Sequence, residues 1–431
     1  MNTDIIFGSY SDANKSREQI EHYNQAWDDF ANGHFSEGLE KIFTYISNAK
    51  MGNLVYEKQA NGTLIFTLYQ GSTKLQGSFD GNWLLTTSEI TKLKRTSPAI
   101  LRKLLDRNQQ LYFSRIALNQ DDTITAIMNY NTAQLQPDII YYGLREVLFL
   151  ADELDDLLVD SFEGNASFAN KELQLPIPDA EVAVKYHYFQ KWIDEALDFL
   201  AQNNRPNLAS FNSYAPLVLV QRINYLCAPK GWLEKQLAEI NGRYWENSQT
   251  QELTPVALLN RLIELIQKLK ETSEKKFKEC MYRTRESFGR KPAFDMKNAF
   301  SYTDYPVKQA KEAKKNNLYG HANYLTEYAL GSLVYDFNMP QLIIDFYHLQ
   351  MQILFNDYFE ELGIDTSNAM EFGKPNRSFV ENYIQNSIEK NKDLSSDNPL
   401  TFDFHSLDYT SNDGFCLSLS EAVSKMLSVF N

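Results

Sequence analysis

The stretch Thr63-Leu64-Ile65-Phe66-Thr67-Leu68-Tyr69 decides the fold. β-branched and aromatic residues dominate it, and turn residues bound it, Asn61-Gly62 before and Gly71-Ser72 after. Such a run reads as one strand of a hairpin series. Working outward, Leu54-Val55-Tyr56-Glu57-Lys58 and Lys74-Leu75-Gln76-Gly77-Ser78-Phe79 have the same character, and Asp80-Gly81-Asn82 ends the second hairpin. An antiparallel meander follows, which Trp83-Leu84-Leu85 and Thr86-Thr87 can extend. Side chains alternate between the faces of a strand. With Leu64, Phe66 and Leu68 toward packed helices, Thr63, Ile65, Thr67 and Tyr69 point outward.

On the N-terminal side, Ile20, Tyr23, Trp27 and Phe30, then Phe35, Leu39, Ile42, Phe43 and Ile46, recur at helical steps. They make two amphipathic helices, or one broken at Asn32-Gly33. On the C-terminal side, Ser97 caps a helix that Pro98 begins, with Ile100, Leu101, Leu104 and Leu105 on one side. A second hairpin rises from Leu111 to Leu118, turns at Asn119-Gln120-Asp121-Asp122 and returns from Thr123 to Tyr130. Pro137 then opens a long helix striped by Ile140, Leu144, Val147, Leu148, Ala151, Leu154 and Leu158. Residues 1–160 therefore form an α+β domain in the order helix, antiparallel meander, helix, hairpin, helix.

The segment from Ser97 to Asn108, the hairpin Phe113-Ser114-Arg115-Ile116-Ala117-Leu118 with its acidic turn, and the closing Leu150-Ala151-Asp152-Glu153-Leu154-Asp155-Asp156-Leu157-Leu158 carry a resemblance. Over about residues 34–160 the chain resembles the type III secretion chaperone-like fold, which includes the YbjN-like proteins. The likeness is one of element order and apolar spacing. It implies a noncatalytic bacterial protein, commonly a homodimer, that binds extended segments of another polypeptide. The longer N-terminal helical part and the large C-terminal extension depart from that pattern.

Residues 161–181, with Gly164, Asn165, Pro176 and Pro178, lack a sustained period and read as a linker. Beyond it helical spacing prevails, so residues 182–431 form a larger all-helical domain, a helical bundle. Pro255 to Ser287 reads as one helix. Pro340 to Leu362 reads as another, whose Tyr347, Leu349, Met351, Ile353, Leu354, Phe355, Tyr358 and Phe359 leave little polar face and place it at the bundle centre.

The chain has 431 residues, 43% hydrophobic and 13% aromatic, enough to bury a large core and too apolar for wholesale disorder. Its net charge of −14 repels nucleic-acid phosphate and anionic lipid, arguing against both partners. Cys227, Cys280 and Cys416 show no CxxC spacing, so neither a disulfide framework nor a thiolate zinc site is expected. With acidic Asp4 in place of a basic leader and no apolar run of about 18 residues, the expectation is a cytoplasmic protein without a membrane span.

Chemistry is sparsely signalled. No HExxH, GxSxG or phosphate-loop pattern and no SxxK followed by a KTG element occurs, and Gly373-Lys374-Pro375 is a turn. Asp345-x-x-His348 places a carboxylate and an imidazole one helical turn apart, yet the second such pair that a di-metal bundle needs is missing. No catalytic residue, metal site or cofactor is assigned. From Leu265 to Asn317 there are 14 Lys or Arg against 7 Asp or Glu. Within it Arg283, Arg285, Arg290 and Lys291 form a candidate anion-binding set. The same cations also fit a solvated helix end, or a dock onto the acidic helix from Asp152 to Asp160.

The expected function is a chaperone-like or adaptor protein that holds a partner polypeptide by strand addition or on apolar sheet positions. Candidate contact residues are Ile65, Phe66, Tyr69, Phe113 and Ile127, with Tyr112 and Met128 as alternatives to the last two. The helical domain covering that face is the competing reading. Two other functions fit the sequence. One is an enzyme of the helical domain acting on a phosphorylated or carboxylated substrate through Asp345, His348 and an Arg. The other is an immunity-type protein that blocks a toxin with its acidic surface.

Overall fold

Alternating burial along residues 64–70 places Leu64, Phe66, Leu68 and Gln70 inside and Ile65, Thr67 and Tyr69 outside. This comes from a computed structural model that describes residues 5–162, 165–394 and 400–430. Asp4, Gly164 and the side chains of Asp156 and Asp160 lie outside the described residues. The chain divides into two units. The sheet unit comprises Asn14–Pro176 with Arg283–Arg290, and the helical unit comprises Met1–Ala13, Ile177–Tyr282 and Lys291–Asn431. The fold class is the expected one, α+β followed by a larger helical part.

In the sheet unit, α1 (Arg17–Ala31) and α2 (Phe35–Ile46) precede β1 (Leu54–Lys58), β2 (Leu64–Gln70), β3 (Thr73–Phe79) and β4 (Trp83–Leu93). Then come α3 (Pro98–Asn108), β5 (Arg115–Leu118), β6 (Thr123–Asn131), α4 (Pro137–Ser161) and β7 (Ala166–Phe168). The antiparallel sheet runs β1-β2-β3-β4-β6-β5, with β7 paired to the end of β4. One face is covered. Leu39, Ile42, Phe43 and Ile46 of α2 and the whole predicted stripe of α4 join Leu64, Phe66, Leu75, Leu84 and Met128 in one core. Gly77 is needed there, because the Phe66 ring lies where a Cβ would stand.

Three departures from the expected elements have identifiable causes. The helix expected from Pro255 to Ser287 stops as α9 (Pro255–Lys270), because the Ser273 hydroxyl accepts the Lys276 N–H and restarts a short α10 (Glu274–Glu279). Next, residues 283–290 leave helical structure altogether and complete the sheet unit. Gln70 receives the N–H groups of Ser287 and Phe288 at 3.0 and 2.9 Å and donates to Glu286. Asn53 donates to the Ser287 hydroxyl at 3.1 Å, and Phe288 is buried edge-on to Tyr141 at 5.2 Å. Finally, the helix expected from Pro340 to Leu362 divides at Phe355 into α13 (Gln341–Leu354) and α14 (Asn356–Glu361), where Phe355 leaves helical geometry.

The helical unit also contains α5 (Asp179–Gln202), α6 (Ala209–Asn212), α7 (Tyr214–Cys227), α8 (Trp232–Thr250), α11 (Ala299–Lys315), α12 (Tyr319–Asp336), α15 (Arg377–Lys390) and α16 (Asn412–Leu427). α7, α12 and α13 are buried along most of their length, so α13 does lie in the interior. That interior holds a charge pair. Arg222 of α7 donates two hydrogen bonds to Glu327 of α12, at 2.9 and 2.6 Å, and its guanidinium lies 4.4 Å from the Phe355 ring centre. No described helix is long and apolar enough to cross a membrane.

Candidate functional site

The two edges of the sheet are built differently. In an antiparallel pair every second residue exchanges backbone hydrogen bonds with its neighbour strand, and the residues between them point their N–H and C=O away. Tyr69 donates to Asn53 at 2.9 Å and Gln59 to Thr63 at 2.8 Å, bracketing the register Val55–Thr67 and Glu57–Ile65. Leu54, Tyr56 and Lys58 of β1 therefore aim their backbone groups outward. Among the described residues nothing bonds them. At the opposite edge, β5, the outward backbone of Ile116 is taken by the side-chain amide of Asn108, which accepts its N–H at 2.7 Å and donates to its C=O at 3.3 Å. Just before β5, Glu146 of α4 accepts the N–H groups of Tyr112, Phe113 and Ser114 at 2.8 to 2.9 Å. Of the two outward-facing residues of β5, Ile116 is engaged by a side chain and Leu118 is not, whereas among the described residues none of the three on β1 is engaged.

The uncovered face of the sheet extends from the β1 edge. Register places Val55, Thr67, Gln76, Thr87 and Ile127 in one cross-strand row, and Glu57, Ile65, Ser78, Leu85 and Asn129 in the next. Val55 is 59% exposed, Leu85 44% and Ile65 37%. A depression of about 410 Å³ lies along this face, lined by Gln76, Ser78, Leu85, Thr87, Ile127 and Asn129 among others. Hydroxyl and amide groups alternate with apolar ones along it.

The predicted contact residues separate across the two sides. Ile65 and Ile127 share the outward face, and the alternation that turns Ile127 out turns Met128 into the core. Tyr69 faces outward under the Arg285 guanidinium, 3.7 Å from its ring centre. Phe66 is buried against Phe43, and Phe113 packs on the helix-covered side, fixed by the Glu146 clamp. Tyr112 is 87% exposed. Sequence reasoning missed Val55, Leu85 and Asn108. The apolar Val55 in an edge-strand run was a usable signal, whereas Asn108 at a helix end looks like an ordinary terminator.

The cationic set is also distributed. Arg290 pairs with Asp152, whose carboxylate also accepts the Ser72 N–H at 2.7 Å, so this acidic helix anchors both the β2–β3 turn and the late segment. Gly71 in that turn has φ of +57° and the Asp152 carboxylate where a Cβ would be. Arg285 is stacked on Tyr69, and Arg283 is not free either. Lys291 belongs to the helical unit and donates to the Val334 carbonyl at 2.7 Å.

Asp345 and His348 both have neighbours of their own. Asp345 accepts from Gln341 at 2.7 Å and from the Ser387 hydroxyl at 2.5 Å. His348 Nδ1 lies 3.1 Å from the Tyr225 hydroxyl, with Phe7 and Phe359 on its ring. Burial pushes its pKa down to about 4 against the opposing pull of Asp345. The neutral form is thus the folded form. Between about pH 6.5 and 4 the unfolded chain takes up a proton that the folded chain refuses, so stability falls as pH drops through that window, by at most about 3 kcal/mol. Urea titrations of the protein and its His348→Leu variant at several pH values should show a shallower dependence in the variant. Equal slopes would remove His348 as the cause. Among the described residues no three His, Cys, Asp or Glu side chains converge as metal ligands.

No protein-family model matches this sequence, and no curated protein matches it either.

Proposed function

We propose that this protein is a noncatalytic, chaperone-like binding module that holds an extended segment of another polypeptide along β1 and across the uncovered sheet face. The observation that carries this reading is the asymmetry of the edges, with Ile116 of β5 sealed by Asn108 and Leu54, Tyr56 and Lys58 of β1 left with outward backbone groups. An added strand would bond those three residues, and its alternate side chains would meet the Val55, Ile65 and Leu85 surface. A cytoplasmic setting and a protein partner belong to the same proposal.

Backbone recognition can be separated from side-chain recognition at one position. The Tyr56 N–H bonds nothing within the sheet, so Tyr56→Pro removes an outward donor while sparing the β1–β2 ladder. Tyr56→Ala removes the ring alone. With a photo-crosslinking residue at Val55 in the full chain expressed in cells, Tyr56→Pro is expected to abolish the crosslinked partner, and Tyr56→Ala to retain it. Both variants should keep the parent circular dichroism. Crosslinking that survives Tyr56→Pro undiminished would refute strand addition.

A further inference from the structure

The turn between α8 and α9 is folded back onto α8 by one side-chain amide. Asn247 accepts the Leu253 N–H at 2.7 Å and donates to the Leu253 carbonyl at 3.2 Å, and Thr254 caps α9 by accepting the Ala257 N–H at 3.3 Å. Gln251 ends α8 at φ of +54°, a left-handed conformation that favours glycine, with its N–H bonded to the Asn247 carbonyl at 2.8 Å. Backbone strain that its surroundings enforce in this way is concentrated at ligand sites. The turn so fixed walls a cavity of about 500 Å³ between α6, α8 and the start of α9, within the size range of small-molecule sites.

The lining of this cavity mixes hydroxyls and amides with apolar side chains. Ser210 of α6, Ser248 of α8 and Gln251 make no side-chain hydrogen bond among the described residues, nor does the Tyr244 hydroxyl, so their donors and acceptors are open to a ligand. The Tyr244 ring packs against the cluster of Leu217, Val218 and Tyr328, which fixes its direction, and burial holds its phenol above the ordinary tyrosine value, in the neutral donor form. Leu253 and Leu258 supply apolar surface to the same cavity. The one charged group in the lining is the Glu252 carboxylate, which opposes phosphates and carboxylates. A ligand matched to this chemistry is uncharged, carries hydroxyls around its edge and keeps apolar C–H faces, which is the character of a pyranose ring.

We propose that the cavity beside the α8–α9 turn is a binding site for a neutral sugar, a pyranose as mono- or disaccharide. Tyr244, Ser210, Ser248 and Gln251 hold its hydroxyls, and Leu253 and Leu258 pack along its C–H face. This site belongs to the helical unit, is independent of the sheet edge and goes beyond the binding function proposed for that edge.

The test uses the full chain and saturation-transfer NMR with glucose, galactose, mannose and maltose, each at about 10 mM, followed by titration of the sugar that responds. At least one is expected to bind with Kd of about 1 mM or tighter. Its 6-phosphate is expected to bind at least about ten-fold more weakly, because Glu252 opposes the added charge. Silence from all four sugars overturns the proposal, and so does tighter binding of the 6-phosphate or of the protonated 2-amino derivative. Ser248→Trp, at an exposed helix position, should keep the parent circular dichroism and weaken binding at least about ten-fold by filling the cavity. Tyr244→Phe keeps the ring and removes one hydroxyl, so a loss of about three- to ten-fold is expected. Binding unchanged in Ser248→Trp places the sugar elsewhere and refutes the site. If that variant does not fold, Tyr244→Phe decides alone, with unchanged binding again refuting it.

Discussion

Phe288→Ala is expected to destabilise the sheet unit by about 3–5 kcal/mol, the cost of deleting a fully buried aromatic ring whose cavity cannot collapse. The ring fills a space between Tyr141 and Phe149 on α4, and its backbone N–H is held by Gln70. Those neighbours belong to a strand and a helix that cannot close the gap without breaking their own packing. In urea, the loss should appear as an earlier unfolding transition of the sheet unit, by roughly 1.5–2.5 M for a slope of about 2 kcal/mol per molar. A shift worth under 1 kcal/mol would mean that residues 283–290 lie on the sheet unit without completing its core. Gln70→Leu offers a second check, since it strands the N–H groups of Ser287 and Phe288 while preserving volume.

The other large effect concerns Arg222 and Glu327. Removing one member of a buried, doubly hydrogen-bonded charge pair leaves the other uncompensated in a medium of low polarity, so Arg222→Met or Glu327→Leu is expected to cost the helical unit about 3–5 kcal/mol. Replacing both, Arg222→Met with Glu327→Leu, should recover most of that loss, because two apolar side chains need no partner. Thermal and urea unfolding of the four proteins forms the cycle. Additive losses in the double variant would show that the two residues do not act as a pair. Other buried polar groups crowd this region. Gln350 of α13 donates to the Thr326 carbonyl and the Ser420 hydroxyl, which links α12, α13 and α16 and gives the bundle a specified register.

Much of the architecture is legible because it follows from short-range chemistry. Asn61-Gly62 and Gly71-Ser72 demand turns, Ser97-Pro98 demands a helix start, and the stripe from Ile140 to Leu158 demands a covered sheet. The same alternation that puts Phe66 in the core puts Ile65 on the surface, so strand periodicity sorted residues into two faces, while which face is exposed was decided by packing. Less was legible where two distant segments meet. Residues 283–287 read as the end of a helix because their own composition permits one, and they left helical structure because Gln70 and Asn53 offer bonds that a helix would forgo. Asn108 gave no sign of its part in closing β5, since an amide near a helix end has many local uses.

The sequence by itself determined the element order, the antiparallel meander, the helical character of the later chain and which strand positions are apolar. These depend on propensity and period, which act between residues a few places apart. Only the tertiary structure decided which outward groups of the sheet edges are engaged, where the cations Arg285, Arg290 and Lys291 are held, and which late segment completes the early domain. Those outcomes are set by side-chain hydrogen bonds and burial among groups 8 to 217 residues apart, and no local pattern in the chain encodes which of them will meet.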